Sequence, residues 1–311
     1  AAFSVLSCDN IPDNGHVVKN AVLGMAEKRS PALADWIREH VSFPATMVDR
    51  IVPAATEESL AEITRELGVT DPCAISCEPF IQWVVEDQFV AGRPAWEAAG
   101  VQMVSDVRPW EEMKLRMLNG SHSFLAYLGY LSGFQHINEC MQDSAFREAA
   151  YRLMMDEQAP TLTITDVDLT GYAQSLIERF ANPALKHKTW QIAMDGSQKL
   201  PQRMLAGIRL HLARETAWPL LALGVAGWMR YVSGVDDAGT TIDVRDPLND
   251  KIRARVAAST EDQRVSALLS LSEIFGNDLP HNPVFVQAIE TAWQRIAQHG
   301  AHQAVIDTLK N

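Results

Sequence analysis

With 39 acidic against 27 basic residues, this 311-residue chain carries a net charge of −12, which argues against a nucleic-acid surface and does not favour an anionic membrane. Its 47% hydrophobic and 21% charged residues are ordinary globular composition, enough for two domains. No stretch is long and apolar enough to span a bilayer, and Cys8, Cys73, Cys77 and Cys140 form no paired metal pattern, so reduced thiols in a cytoplasmic protein are expected.

Residues 3–7 are a short apolar run ending in polar residues, read as a strand whose carboxyl end faces a crevice. Residues 15–29 and 31–40 read as helices, the second with proline at its first position. Residues 47–52 read as a strand, 57–67 as a helix and 80–85 as a further strand, an alternation that suggests the later part of a doubly wound sheet. From about Asp106 the pattern becomes helical: 109–118, 124–131, 144–155, 171–180, 201–214, 218–232, 262–275 and 282–298. The boundary is placed so that residues 1–104 form an α/β part and residues 105–311 an all-helical domain, with clear breaks at Asn182-Pro183 and in the polar stretch 233–249.

One segment stands out, Lys114-Leu-Arg-Met-Leu-Asn119-Gly-Ser-His122, where an ammonium, an amide and an imidazole interrupt an apolar helical run. On a regular helix Glu111, Lys114 and His122 fall within roughly 80° of arc, and Asn119 widens this to about 140°. A desolvated lysine is a candidate base, and an asparagine is a neutral donor to developing negative charge. The same residues are compatible with a lysine that reaches solvent, a helix end at Asn119-Gly120 and a core histidine.

The segment resembles the K-x4-N-x2-H motif of the polyol-specific long-chain dehydrogenases. Further stretches fall in that family's order: Ser7-Cys8-Asp9-Asn10 with Asn14-Gly15, Phe43-Pro-Ala-Thr-Met-Val-Asp49-Arg50, Glu78-Pro-Phe-Ile-Gln-Trp-Val-Val-Glu-Asp87, Gly92-Arg-Pro-Ala-Trp96 and Asp195-Gly-Ser-Gln-Lys199. The resemblance implies the C-terminal part of a Rossmann-like domain followed by a helical substrate domain. No glycine-rich fingerprint occurs, so the same resemblance predicts that the dinucleotide-binding half, and with it most of the NAD site, lies outside this sequence.

By resemblance, Lys114 is the catalytic base, Asn10 and Asn119 donate to the alcohol oxygen, and His122 holds a substrate hydroxyl. Glu111 relays protons between the lysine and water, and Asp49 contacts substrate. Lys199 matches a family lysine, and with Arg203 four residues on it would neutralise a sugar-acid carboxylate if both face the pocket. The wording of residues 78–127 and 191–201 is most similar to the D-mannonate oxidoreductase branch, which implies metal-independent, NAD-dependent interconversion of D-mannonate and D-fructuronate. Alternatives are oxidation of mannitol to fructose, an altronate oxidoreductase, and an inactive fragment that serves as a binding or assembly module.

Overall fold

Ser4 and Ser42 lie side by side on β1 (Phe3–Ser4) and β2 (Val41–Ser42), a parallel pair whose crossover is made by α1 (Asn14–Arg29) and α2 (Pro31–His40). Parallel strands need such a connection, and here it packs back on them through Ala26, Ala34, Ile37 and Val41, flanked by Val5, Trp36 and Phe43. A second sheet joins β3 (Thr46–Asp49) antiparallel to β4 (Gln82–Glu86), and β4 parallel to β5 (Gln102–Val104). Its covered face is Ala45, Met47, Val84 and Val107. Between β3 and β4, α3 (Glu57–Leu67) opens on a reciprocal Thr56–Ser59 cap and ends at Gly68, whose φ of 69° favours glycine. These elements and α4 (Arg108–Met113) make one compact unit, Ala1–Lys114, of the computed structural model, which describes residues 1–310.

The unit that begins at Leu115 is helical. In order it holds α5 (Ser121–Leu131), α6 (Ile137–Gln142), α7 (Ser144–Arg152), α8 (Leu169–Phe180), α9 (Thr189–Ala193), α10 (Gly196–Leu200) and α11 (Ala206–Arg214). It continues with α12 (Pro219–Val232), α13 (Asn249–Ala257), α14 (Arg264–Leu269), α15 (Ser272–Phe275) and α16 (Pro283–Leu309). Nearly every residue of α5 and α12 is buried, with Phe124, Leu125, Trp228 and Met229 fully so; these two apolar helices are the centre of the unit. A Cβ at Gly227 would stand 2.8 Å from Leu128, so the crossing of α12 over Leu128 depends on that glycine.

The predicted elements differ from the observed ones in specific ways. The strand expected over residues 3–7 shortens to Phe3–Ser4, with Val5 N–H still donating to Ser42 O at 2.9 Å, and β2 and β5 are too short to show a periodicity. The expected helix 262–275 breaks between α14 and α15, and α6, α9, α10 and α13 lie outside the expected helices. A wider π turn overlaps three expected helices: Lys114–Gly120 runs past the expected end at 118, Leu153–Gln158 past that at 155, and Pro201–Leu205 opens the helix expected over 201–214. All four cysteines are free, and among the described residues no helix is long and apolar enough to cross a membrane.

Candidate active site

In the first unit a single buried amide organises the loop after β1. Asn14 shares its amide N–H groups among Ser7 O at 3.3 Å, Asp9 O at 3.0 Å, Thr46 O at 3.0 Å and Thr46 Oγ1 at 3.1 Å, and its Oδ1 accepts the Thr46 N–H at 2.9 Å. Thr46 Oγ1 closes the network by donating to Ser7 O at 2.7 Å. Residues 7–9 are thereby tied to the start of β3, and the next residue, Asn10, meets the lysine. Lys114 is 6% exposed, and its Nζ donates to Asn10 Oδ1 at 2.7 Å and to the carbonyl of Val48 on β3. A buried ammonium requires such acceptors.

Asp49 is buried at the end of β3, one residue past that carbonyl. Glu111, on α4, accepts the Asp13 N–H at 3.2 Å; burial raises its carboxyl above the ordinary range against that hydrogen bond, which lowers it, and the carboxylates of Asp13, Glu86 and Asp106 add to the rise. A carboxyl so tuned is suited to passing a proton. Lys114 does not extend to solvent, and Arg50 spends its guanidinium on Phe80 O and Pro79 O.

In the helical unit, polar groups gather around His122. Its ring is 6% exposed and stacks on Phe180 at 4.7 Å, and the His187 ring meets it at 5.0 Å and 82°. Burial, then the charges of His187, Arg203, Arg179 and Lys199, hold His122 well below its usual pKa. His187 is likewise pushed down to about 4 by burial and Lys199. Lys199 donates to Ile192 O at 3.1 Å and Met194 O at 2.5 Å; burial and Arg203 lower it to about 8. Arg203 Nη1 donates to Ser123 Oγ at 3.0 Å and Asn119 O at 3.4 Å, and burial lowers the guanidinium to about 10. The backbone continues as helix through Gly120, so Asn119-Gly120 is not a helix end.

The three π turns of this region converge. Gln158 Nε2 donates to Arg203 O at 3.1 Å, and a Cβ on Gly120 would lie 2.7 Å from that same Nε2 and 2.9 Å from that carbonyl. The 100° spacing assumed for residues 111–122 does not hold through Lys114–Gly120, because a π turn is wider than an α turn. The adjacent Glu157 accepts the N–H groups of Leu220 and Leu221 at 2.8 and 2.7 Å, at the start of α12. An open cleft of about 700 Å³ beside α12, lined by His211, Trp218, Pro219 and Val284, contains none of the predicted site residues.

Asn14, His187 and Glu157 were not singled out from sequence. Asn14-Gly15 lay among the resembling stretches without a role, whereas His187 in a Lys-His-Lys loop and Glu157 in an apolar helix carry no spacing signal.

The family model described as the mannitol dehydrogenase Rossmann domain matches residues 1–98, and that of the mannitol dehydrogenase C-terminal domain matches residues 106–297. This corrects the expectation that the dinucleotide-binding domain, and most of the NAD site with it, lies outside the sequence: Rossmann-domain sequence is present. The chain is 82% identical over 308 residues to the uncharacterized oxidoreductase YeiQ of Escherichia coli (strain K12), covering 99% of this chain and 63% of that protein. To the D-mannonate oxidoreductase of the same organism it is 60% identical over 305 residues, 98% of this chain and 63% of the relative. The ternary complex of Pseudomonas fluorescens mannitol 2-dehydrogenase with NAD and D-mannitol superposes with a TM-score of 0.89 at 39% identity, covering 99% of this chain and 62% of that one. The chain thus spans under two thirds of the length of these relatives. With its α/β unit and helical unit matched in order by both domain models, the chain belongs to the mannitol dehydrogenase family.

Proposed function

We propose that the chain carries the reacting residues of an NAD-dependent oxidoreductase that interconverts D-mannonate and D-fructuronate, with Lys114 as general base. The observation that carries this reading is the buried Lys114 Nζ held by Asn10 Oδ1 and Val48 O, which as a neutral amine keeps a lone pair for the substrate proton. Similarity to D-mannonate oxidoreductase supports a sugar-acid substrate over a neutral hexitol.

Lys114 takes the hydroxyl proton of the secondary alcohol, and the two acceptors stabilise the ammonium that results. Since Asn10 turns its Oδ1 to the lysine, its amide N–H groups are the end that faces away and donates to the substrate oxygen as charge builds. Asn119 is the second such donor, His122 anchors a neighbouring hydroxyl, and Asp49 orients the substrate. Glu111 passes the proton from Lys114 toward water. Lys199 and Arg203 attract the substrate carboxylate. These groups need no metal to stabilise an alkoxide. The braced loop of residues 5–13 lies at the carboxyl end of β1, where dinucleotides lie in open sheets, and would hold the nicotinamide end of NAD. When bound, NAD supplies the hydride acceptor.

The test is a steady-state assay with NAD on D-mannonate, D-altronate and D-mannitol. The reading expects D-mannonate to give the highest kcat/KM, and Lys114→Ala to lower kcat by about 10²–10⁴, the usual worth of a general base. Wild-type turnover in that variant overturns the mechanism. Preference for D-mannitol moves the substrate to the hexitols, and an inactive wild type favours a binding or assembly module.

A further inference from the structure

His122, His187, Lys199 and Arg203 form a corner of the helical unit in which the carboxylates of Asp195 and Asp246 act on Lys199, whereas the hydrogen bonds of the Arg203 side chain among the described residues go to neutral groups. Besides burial, the neighbours that disfavour the protonated His122 ring are His187, Arg203, Arg179 and Lys199. Among the described residues the Arg203 side chain hydrogen-bonds to the neutral Ser123 Oγ and Asn119 O, and its buried Nε has no hydrogen-bond partner there. Lys199 has two of its three N–H groups on backbone carbonyls. The nearby Asp246 carboxylate is taken by Ser197 N and Oγ at 2.8 and 2.5 Å and by Leu248 N at 2.8 Å. The buried Nδ1 of His187 also lacks a partner. Buried donors without partners and a guanidinium without a counter-ion are costly unless a ligand completes them.

We propose that His187 is a third carboxylate-binding residue beside Arg203 and the remaining N–H of Lys199, and that it sets the preference for an aldonate over a neutral polyol. The proposal rests on the sugar-acid reading above. Two of the Lys199 N–H groups hold the turn at residues 192–194 and the third is left for a carboxylate, beside Arg203 Nε and His187 Nδ1 in the tautomer that carries its proton there. His122, which faces His187 edge-on and Phe180 face-on, is left for a hydroxyl.

The test measures binding of sodium D-mannonate and of D-mannitol to the full 311-residue chain by calorimetry, with NAD present. Wild type is expected to prefer D-mannonate at least tenfold. His187→Ala loses about tenfold in D-mannonate affinity with D-mannitol within twofold. His187→Asn, whose amide nitrogen stands near the place of Nδ1, recovers most of the loss. Equal weakening of both ligands, or no change in either, overturns the role of His187 and leaves the sugar-acid reading standing. A wild type that binds D-mannitol as tightly as D-mannonate overturns both.

Discussion

Lys114 Nζ and Asn10 Oδ1, 104 residues apart in sequence, are 2.7 Å apart in the first unit. The contact fixes which end of the Asn10 amide is left to donate. Asn10→Asp exchanges that donor for a second acceptor and tightens the hold on the ammonium, so kcat is expected to fall at least a hundredfold while the fold persists. Asn10→Ala should lower kcat without raising KM to the same degree. A steady-state comparison checks both, and an active Asn10→Asp variant contradicts the donor role.

Asn14 acts one step further back. Asn14→Ala removes an amide that serves Ser7, Asp9 and Thr46, leaving the buried Thr46 N–H without its acceptor. A loss of about 1–3 kcal/mol in urea unfolding is expected. Activity should fall more than the fraction unfolded explains, because the loop that carries Asn10 loosens.

Gly120→Ala opposes two effects. Alanine is the better helix former by about 1 kcal/mol, yet its Cβ would stand 2.7 Å from Gln158 Nε2 and 2.9 Å from Arg203 O. One of those atoms is backbone, so the steric effect wins, and a net destabilisation of about 1–3 kcal/mol is expected. Denaturant midpoints of the variant and wild type decide the sign.

Glu157 provides a pH signature. Burial raises its carboxyl from 4.5 to about 7 despite the Leu220 and Leu221 N–H groups, which act the other way. The folded state therefore holds the proton more tightly than the unfolded one. The contribution is fully present below pH 4.5 and is lost as pH rises to about 7. The loss is about 3 kcal/mol at 1.36 kcal/mol per unit. Wild type measured against Glu157→Gln in urea at pH 5 and pH 8 should show this difference, and parallel curves would refute it.

Lys199, lowered to about 8, sheds its charge as pH rises through that value. KM for D-mannonate is expected to rise above about pH 8 while KM for D-mannitol does not. Lys199→Arg, which stays charged, should shift the rise upward.

The sequence made legible what repeats or what is chemically rare. α3 follows from periodicity and α5 and α12 from the length of their apolar runs, and Lys114, Asn119 and His122 are noticed as polar groups in an apolar run. What escaped depends on tertiary partners. Nothing local in Asn14 announces Thr46 at its side, and His187 becomes informative only when His122 and Lys199 lie beside it. The short β2 and β5 exist because β1 and β4 are there to pair with. The π turns were invisible because helical periodicity reads apolar faces and is blind to a change of hydrogen-bond step.

Those turns limit how the motif can be transplanted. K-x4-N-x2-H counts residues along a backbone whose pitch changes between its first member and its last. Grafted onto a regular α-helix, the same letters would point elsewhere, so a transplant must import the wide turn, and the glycine that lets Gln158 and Arg203 close over it, together with the motif's side chains.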